Sequence, residues 1–254
     1  PVAAPPWIGA DKVGYETGTV EGELDLVRLS RDTTPLNLAL AANWATAIAS
    51  GRDIFVPAGV WPLSSATVTF DGQRIFGEGP RSRIVSTNPA VNLFEVRADN
   101  ARFENLTMVG IATAATDSRF AIHTVEVAPV KNLRVIGLKF TGSTAASGFA
   151  NAIKIDTGSD DALVQYCHFE RLVGEDSGFG YSVLVGNANR ANVSFNTGIY
   201  TSGRGRHFVY FSGGASYCKA VFNEFSGGNK DAITIYSYNT QPTCQNNVVA
   251  YNTL

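Results

Sequence analysis

Histidine, arginine, lysine and carboxylate side chains recur at corresponding points of several short apolar segments. Arg206 and His207 open one such segment, RHFVYFSGG, just after Arg204. Lys154 and Asp156 lie two residues apart in another, AIKID. Imidazole and carboxylate groups serve as general acids and bases, and a cation can neutralise the carboxylate of a ligand. These residue types could therefore carry proton abstraction or anion binding, provided that the fold brings them to one face.

A repeat of short apolar segments sets where these side chains lie. After residue 90, each repeat contains two apolar segments, and the first of them recurs at 93–96, 121–125, 152–156, 182–186, 207–211 and 232–236. Spacings of 28, 31, 30, 25 and 25 residues result from aligning Phe94, Ile122, Ile153, Val183, Phe208 and Ile233. This period, with two or three short strands in each repeat, predicts an all-β parallel solenoid. Longer inserts are expected to form loops on one side, at 112–119, 141–150 and 172–180.

Composition excludes several classes of protein. The chain has 254 residues, of which 44% are hydrophobic and 17% charged, and this balance indicates a folded protein rather than a disordered one. A net charge of −2 does not predict sequence-independent binding to nucleic acid. No apolar run reaches about 18 residues, so no membrane span is predicted. The three cysteines lack the spacing of a zinc site, no cofactor is indicated, and the chain fits a mature secreted protein.

Three regions follow from these patterns. Residues 1–34 are predicted to be an irregular N-terminal arm or linker. Residues 35–50 carry apolar side chains at helical spacing between Pro35 and Gly51, which predicts an amphipathic helix that caps the first coil. Residues 51–254 are predicted to form the solenoid, which is expected to be incomplete at its C-terminal end.

Several other residues are given a structural role. Side chains at strand ends are expected to form hydrogen-bonded ladders, and these are Asn105, Asn196, Asn223 and Asn247. His168 is expected on a different sheet, with Lys139 and Glu224. Cys218 and Cys244 are 26 residues apart, so stacking on adjacent coils would place their backbones about 5 Å apart. That distance permits a disulfide, although buried free thiols are preferred.

The stretch that begins near residue 50 resembles a known group of proteins. The segments RDIFVPAGVWPLS and DGQRIFGEG, after a predicted helix ending at Gly51, are similar to the N-terminal entry of the pectate-lyase-like right-handed β-helix superfamily. This resemblance covers residues 35–254 and implies a right-handed parallel β-helix. It also implies a polysaccharide ligand, since the superfamily includes lyases, hydrolases, epimerases, adhesins and phage tailspike depolymerases. No acidic run matches the calcium site of pectate lyases, although bound calcium is left open, and the fold alone does not give the reaction.

The alternation of side chains along a strand predicts which residues face outward. It places Tyr210 in the core and leaves small residues, such as Ala152 and Ser182, beside larger ones to form a groove. The candidate catalytic residues on the outward face are His207, Lys154, Asp156, Arg206, His123 and Tyr236. The candidate substrate-binding residues are Glu95, Arg204, Phe211 and Thr234. The alternative is a solvated surface on which Glu95, His123 and Lys154 merely pair across strands.

The residues and the resemblance together predict a protein that binds and cleaves an extended acidic polysaccharide, and a lyase is favoured. In β-elimination, Lys154 or Arg206 would neutralise a uronate carboxylate. His207, His123 or a lysine would then remove the proton, and Tyr236 would protonate the leaving oxygen. Hydrolysis would need two carboxylates, and Glu95 and Asp156, two coils apart, would be separated by roughly 10 Å, at the upper edge of the spacing for inversion.

Other functions and partners remain open from the sequence. The alternatives are a glycoside hydrolase, a uronate epimerase, and a non-catalytic adhesin or phage receptor-binding tail protein. The expected partner is a polysaccharide, with neither nucleic acid nor membrane. The expected location is extracellular, as a secreted or virion tail protein, and a homotrimer is expected in which a neighbouring subunit could complete the site.

Overall fold

The structure of the chain is a computed structural model that describes residues 34–113, 119–174, 180–200, 204–228, 230–238 and 240–254. All elements described here belong to the unit Pro35–Leu254. The arm or linker predicted for residues 1–34 lies outside the described residues, apart from Thr34, and stays a prediction.

Short strands are the main regular elements of the described chain, because β-branched and aromatic residues alternate with turn residues along it. The strands of the N-terminal half are β1 (Leu36–Asn37), β2 (Ile54–Val56), β3 (Gly59–Leu63), β4 (Ala66–Val68), β5 (Arg74–Gly77), β6 (Ser82–Ser86), β7 (Phe94–Val96), β8 (Arg102–Glu104), β9 (Thr107–Gly110) and β10 (Phe120–Thr124). The remaining strands are β11 (Arg134–Ile136), β12 (Lys139–Gly142), β13 (Asn151–Ile155), β14 (Leu163–Gln165), β15 (His168–Glu170), β16 (Tyr181–Gly186), β17 (Asn192–Ser194), β18 (Thr197–Ile199), β19 (His207–Ser212), β20 (Lys219–Val221), β21 (Glu224–Ser226), β22 (Ile233–Tyr236) and β23 (Val248–Ala250).

Within the described residues these strands form three sheets in which each strand pairs in parallel with the equivalent strand of the next coil. Sheet A has nine strands, in the order β1-β2-β5-β8-β11-β14-β17-β20-β23. Sheet B has seven, in the order β3-β6-β9-β12-β15-β18-β21, and sheet C has seven, in the order β4-β7-β10-β13-β16-β19-β22. The all-β parallel solenoid predicted from the repeat is confirmed.

The core consists of the inward side chains of the three sheets, stacked from coil to coil. Phe140 and Phe169, for example, are fully buried, with parallel rings whose centroids lie 5.1 Å apart. Each coil alone leaves this apolar surface exposed, so the stacking of successive coils supplies most of the stabilisation.

The predicted alignment of the coils is confirmed in sheet C at every aligned position except one. Phe94, Ile122, Ile153 and Val183 are register partners, but the next partner is Val209 rather than Phe208. Ile233 then pairs with Val209. The sequence alignment therefore slips by one residue at β19.

This slip arises because the chain turns inward as it enters sheet C. Phe208 and Val209 are both buried, and both of their amides donate to the carbonyl of Ala232, at 2.8 and 3.1 Å. A strict alternation cannot hold where two consecutive side chains point into the core. Two earlier positions predicted to leave room for a groove are buried in the same way, namely Ala152 and Ser182.

Two assignments change with the corrected register. Tyr210, predicted to lie in the core, aligns with Leu184 and Lys154 on the outward face. Phe211, predicted to be an outward platform for substrate, aligns with the buried Val185 and is itself fully buried. The prediction that Phe211 binds substrate was therefore wrong.

The helix predicted over residues 35–50 is much shorter. Leu36 and Asn37 pair with β2, Leu38–Leu40 form a 3₁₀ turn, and only Trp44–Ala49 form an α-helix, α1. Asn43 caps α1, because its Oδ1 accepts from the Thr46 amide at 2.9 Å. Strand pairing of Leu36 and Asn37 with the first coil thus determines the structure here, although the leucines have the spacing of a helix. A capping role for this segment stays a prediction.

The corner between sheets A and B is a tight turn that repeats in every coil. From β8 onward its central residue adopts positive φ, and in the last four coils this position is occupied by a stack of exposed aromatic rings, Tyr166, Phe195, Phe222 and Tyr251. The residue that follows points inward, and a buried ladder runs along this position: the amide of Asn196 donates to Asn223 Oδ1 and the amide of Asn223 donates to Asn252 Oδ1. The predicted structural role of Asn196 and Asn223 is confirmed.

Free thiols account for the three cysteines. Cys167 and Cys218 are buried, and Cys244 is partly buried. The neighbour of Cys218 on the next coil is Asn247, whose Oδ1 accepts from the Cys218 amide at 2.8 Å, rather than Cys244. The predicted stacking of Cys218 on Cys244 was therefore wrong by three residues.

The loops predicted at 112–119, 141–150 and 172–180 each connect sheet B to sheet C, so they border one edge of sheet C. Their backbones bond to one another from coil to coil: the Val173 amide donates to the Phe149 carbonyl, and the Gly205 amide donates to the Gly174 carbonyl. Small residues permit this close packing, since a Cβ at Gly148 would overlap the carbonyl oxygen of Arg171. The described parts of these loops form a continuous wall beside sheet C.

Candidate functional site

The outward face of sheet C carries most of the predicted site residues. One row across its strands runs along register partners, in the order Glu95, His123, Lys154, Leu184, Tyr210 and Thr234. Neighbouring members of such a row lie about 5 Å apart, so the face is a regular surface rather than a deep pocket. Two clusters of polar residues interrupt it.

The first cluster is centred on Asp156. Lys154 Nζ lies 2.6 Å and His123 Nε2 lies 3.1 Å from the same carboxylate oxygen, Asp156 Oδ2. Burial opposes ionisation of this carboxyl, but the hydrogen bonds from His123 and Lys154 outweigh it and hold the pKa of Asp156 far below its usual range. Asp156 is therefore a fixed carboxylate, unable to donate a proton at neutral pH.

The sequence pattern did not reveal the residue that orients His123. Asn92 accepts a hydrogen bond from the Phe120 amide on its Oδ1, at 2.9 Å, so its Nδ2 is the atom that faces His123 Nδ1, at 3.0 Å. Since Nδ2 can only donate, Nδ1 is an acceptor and the ring proton resides on Nε2, toward Asp156. Both nitrogens of His123 are occupied, so this imidazole positions Asp156 and has no free lone pair to act as a base.

The second cluster is centred on His207. Its Nδ1 lies 2.6 Å from the carbonyl oxygen of Asp231 and 3.0 Å from Thr234 Oγ1. A carbonyl oxygen can only accept, so Nδ1 carries the proton and Nε2 keeps its lone pair. Within the described residues no hydrogen bond occupies Nε2.

Two tyrosines surround this imidazole. The ring of Tyr181 stacks on His207 with centroids 5.9 Å apart, and Tyr210 lies at 5.4 Å. Burial lowers the pKa of His207 below its usual value, the Asp231 carbonyl opposes this, and Arg206 adds to it. His207 is 4% exposed, and its imidazole is neutral at neutral pH.

Arg206 borders the same cluster. Its guanidinium lies over the Tyr181 ring, 6.0 Å from the centroid, and Nη1 donates to the Tyr181 hydroxyl at 3.3 Å. Its Nε is buried and has no partner in the described part of the chain. Burial raises the pKa of Tyr210 above its usual value, so the phenol stays protonated at neutral pH. The second cluster therefore joins a cation, a neutral imidazole and two phenols.

No family model and no curated protein matches this chain. Among solved structures, the Dettilon tailspike protein (gp208) superposes with a TM-score of 0.55 at 14% identity, over 86% of this chain and 48% of that one. Escherichia coli YbhC superposes with a TM-score of 0.50 at 12% identity, over 98% of this chain and 74% of that one. DFA-IIIase from Arthrobacter chlorophenolicus A6 superposes with a TM-score of 0.50 at 16% identity, over 82% and 58%.

The unit Pro35–Leu254 is a right-handed parallel β-helix. This confirms the fold that the resemblance to the pectate-lyase-like superfamily implied. At these levels of identity the likeness shows the fold alone, and the β-helix spans about half the length of the tailspike.

The β-helix does not bring all the predicted site residues together. Lys154 and Tyr210 are two strands apart in the same row, roughly 10 Å, so the two clusters are separate. Glu95 pairs with Arg97 at 3.0 Å. Arg204 extends into the loop wall, where Nη1 donates to the Ala146 carbonyl at 2.9 Å.

Tyr236 also lies away from His207. It is two residues beyond Thr234 on β22, which is roughly 7 Å along the strand. Its ring is half exposed and meets Tyr238 edge to face, with centroids 5.1 Å apart. The acid role predicted for Tyr236 stays a prediction, whereas Tyr210 is the phenol beside the imidazole.

A further polar group lies on sheet B of the β-helix, as expected for His168. Lys139 Nζ is 3.1 Å and His168 Nε2 is 3.5 Å from the Glu170 carboxylate. Glu224 lies in the same row of sheet B as Lys139 and His168, as expected, and the carboxylate that pairs with both is Glu170. The group is a matched internal control for the sheet C cluster, because both consist of a lysine, a histidine and a carboxylate.

Two negative findings apply to the described residues of the β-helix. No group of three histidine, cysteine or carboxylate side chains there is placed to hold a metal ion. No helix in the same residues is long and apolar enough to span a membrane.

Proposed function

We propose that the β-helix binds an acidic polysaccharide along the outward face of sheet C and cleaves it by β-elimination at His207. The observation that carries this proposal is the state of His207, a neutral imidazole with Nδ1 bonded to the Asp231 carbonyl and Nε2 without a partner in the described chain. A carbohydrate ligand is supported by the resemblance in sequence and by the fold shared with a tailspike protein and with DFA-IIIase.

Each step of the elimination has a candidate group in the second cluster. The Arg206 guanidinium, which lies over the Tyr181 ring beside His207, would bind the uronate carboxylate and stabilise negative charge that develops next to it. His207 Nε2 would take the proton from C5, and the electron pair would form the C4–C5 double bond. The O4 oxygen would leave with a proton from the Tyr210 hydroxyl, which burial keeps protonated.

Hydrolysis is less well supported by the same face. A glycoside hydrolase needs one carboxyl that is protonated and a second that is ionised. The carboxyl of Asp156 is held ionised by Lys154 and His123, and Glu95 is paired with Arg97. Neither is placed to donate a proton to a leaving group. An epimerase would share the first proton transfer and return a proton to the opposite face of the sugar.

The first cluster would hold the polymer beside the reaction centre. Lys154, Asp156 and His123 are fixed by hydrogen bonds, so they would present ammonium and carboxylate groups to sugar hydroxyls without losing much side-chain freedom. The side chains of Lys154 and Asp156 are 26% and 13% exposed, which allows direct contact with a ligand on the surface.

A second candidate function is non-catalytic glycan binding, as in an adhesin or a receptor-binding tail protein. The low exposure of His207, at 4%, favours it, because a general base must reach the proton it removes. An extracellular or virion location is part of both proposals. The predicted homotrimer stays a prediction, to be tested by light scattering.

The test is an assay on a panel of uronate-containing and bacterial capsular polysaccharides. Wild type is compared with His207→Gln, and His168→Gln on sheet B is the matched control. Ultraviolet absorbance of an unsaturated product with wild type and the control, lost in His207→Gln, supports elimination. New reducing ends without that absorbance would indicate that the protein cleaves by hydrolysis. Binding without either product would leave the glycan-binding function.

A further inference from the structure

Three arginines follow one another along the outward face of sheet A. Arg74 is the register partner of Arg102, and Arg102 is the register partner of Arg134. They open the strands β5, β8 and β11, so neighbouring members of this arginine row lie about 5 Å apart. Like charges at facing positions of a sheet destabilise it, and a row of three guanidiniums therefore needs compensating negative charge.

The Arg74 end of the row is neutralised by the chain itself. Arg74 Nε lies 2.7 Å from Glu104 Oε2, and the guanidinium lies over the Phe76 ring, 3.9 Å from the centroid. Asp53 Oδ1 accepts a hydrogen bond from the Arg74 amide at 3.0 Å, so a second carboxylate lies at the same end. Glu104 is on the same strand as Arg102, yet it pairs with the arginine of the preceding coil.

The other two arginines have no carboxylate partner. Arg134 Nη1 donates to the carbonyl oxygen of Asp161 at 2.7 Å, whereas the carboxylate of Asp161 is bound by Arg190 Nε at 2.6 Å. Arg102 forms no hydrogen bond and no ion pair with the described residues. Burial lowers the pKa of Arg134, the charge of Arg102 lowers it further, and Asp161 opposes both. Two adjacent positive charges of the row thus remain without a negative partner in the described part of the chain.

We infer that Arg102 and Arg134 bind a dianionic tetrahedral oxyanion, a sulfate or phosphate group, on the outward face of sheet A. A dianion matches the two unpaired charges, and its oxygens point in several directions, so it can accept from guanidiniums on adjacent strands at once. A carboxylate has a single charge and two oxygens in one plane, which suit one guanidinium. This inference goes beyond the proposed function, because sheet A is a different face of the β-helix from the one that carries His207.

A single arginine on sheet B provides a matched control. Arg83 is exposed, and its register partners are Val60 and Thr107, so no guanidinium faces it from a neighbouring strand. If any outward arginine on a sheet sufficed for oxyanion binding, Arg83 would contribute as much as Arg102. The inference requires the effect to be confined to the arginine row.

The test is thermal unfolding and calorimetric titration with sodium sulfate, with ionic strength kept constant by chloride. We expect sulfate at ten times its dissociation constant to raise the Tm of wild type and of Arg83→Gln by about 3 to 5 °C. Arg102→Gln should show only the non-saturating rise that sulfate gives to proteins in general. In chloride alone, Arg102→Gln should unfold at or above the wild-type temperature, because it relieves the repulsion between facing guanidiniums.

Two further ligands define the charge and the source of the bound group. Acetate should give no saturable response, and a response equal to that of sulfate would overturn the assignment to a dianion. Dextran sulfate that binds at least about tenfold more tightly per sulfate group than free sulfate, with the gain lost in Arg102→Gln, would assign the site to an ester group on a polymer. Equal affinity per group would assign it to the free anion.

Other outcomes would overturn the site itself. These are a saturable sulfate response that survives in Arg102→Gln, an equal loss in Arg83→Gln, or no saturable response of wild type to free sulfate, phosphate and dextran sulfate. None of these measurements uses a uronate polysaccharide or the cleavage assay, so failure of this site and failure of the proposed function are separate results.

Discussion

His207 Nδ1 lies 2.6 Å from the carbonyl oxygen of Asp231, the residue at the equivalent position of the next coil. A single backbone carbonyl thus decides which nitrogen of the imidazole is free. Because this carbonyl belongs to the backbone of the next coil, the stacking of the two coils fixes the tautomer of His207. The pair His123 and Asn92 shows the opposite arrangement, in which Nδ1 accepts and Nε2 donates to Asp156.

The pH profile of cleavage should reflect the lowered pKa of His207. The base is active when neutral, so activity falls as the pH drops through the pKa of His207, and burial lowers that pKa below its ordinary 6.5. We expect kcat/KM to be retained at pH 6.5 and to decline only at lower pH. The measurement is kcat/KM against pH on the best substrate of the panel. An acidic limb that is centred above pH 6.5 would contradict a buried imidazole base.

The Asp156 cluster should stabilise the fold as well as hold ligand. We expect a double-mutant cycle of Asp156→Asn and Lys154→Met to give a coupling free energy of about 1 to 3 kcal/mol, because charge-assisted hydrogen bonds join a partly buried carboxylate. Urea unfolding at pH 7 provides the measurement.

Acid should remove the contribution of Asp156. The pKa of the folded carboxyl lies below its ordinary 3.8, so the unfolded chain binds the proton first as the pH falls. The stabilisation is therefore complete above pH 3.8 and is lost progressively below it, and unfolding of Asp156→Asn should depend less on pH in that range. In the double-mutant cycle of Asp156→Asn and Lys154→Met, a coupling free energy near zero at pH 7 would mean that the two side chains do not stabilise each other.

The asparagine ladder should be the most sensitive polar feature of the core. Asn223 is 2% exposed, and its side chain makes four hydrogen bonds, with Asn196, Val193 and Asn252. Asn223→Ala should lower the free energy of unfolding by about 2 to 4 kcal/mol, since it leaves buried backbone groups without partners. The exposed Asn246, at a φ of 54°, should accept glycine without loss. Equal stabilities of Asn223→Ala and Asn246→Gly in chemical denaturation would contradict this account.

The loop wall beside sheet C should tolerate no side chain at Gly148. A Cβ there would overlap the backbone carbonyl of Arg171, which cannot move without disturbing the next loop. We expect Gly148→Ala to destabilise the protein by about 2 kcal/mol or more. At Gly186 the nearest atom to a Cβ is 3.9 Å away, so Gly186→Ala should change the free energy of unfolding by less than about 0.5 kcal/mol. Matched thermal melts of the two variants would show whether the wall is rigid.

The repeat was predictable from the sequence because each coil must bury the same inward positions. Phe94, Ile122, Ile153 and Val183 recur at the coil period and pair as expected. The failure at Phe208 has a local cause, since two consecutive residues turn inward where a loop enters sheet C, and this breaks period-two alternation. That one-residue slip exchanged Tyr210 and Phe211 between the surface and the core.

The site was predictable only as a set of residue types on one face. His123, Lys154 and Asp156 were expected on sheet C and do meet there. Asn92 and Tyr181 were missed because their roles depend on hydrogen bonds and ring contacts between coils, which periodicity does not encode. The length of the N-terminal helix was overestimated, because the leucines near residue 38 suit both a helix and a strand that pairs with β2.

The most direct measurement compares two lysines that lie on different faces of the same coils. Lys154 pairs with Asp156 at 2.6 Å on sheet C, and Lys139 pairs with Glu170 at 3.1 Å on sheet B. Binding of an acidic polysaccharide should be titrated with wild type, Lys154→Glu and Lys139→Glu at one salt concentration. If sheet C holds the polymer, Lys154→Glu will weaken binding at least about tenfold and Lys139→Glu will leave it unchanged. Equal effects of the two substitutions, or a larger effect at Lys139, would contradict the assignment of the glycan surface to sheet C.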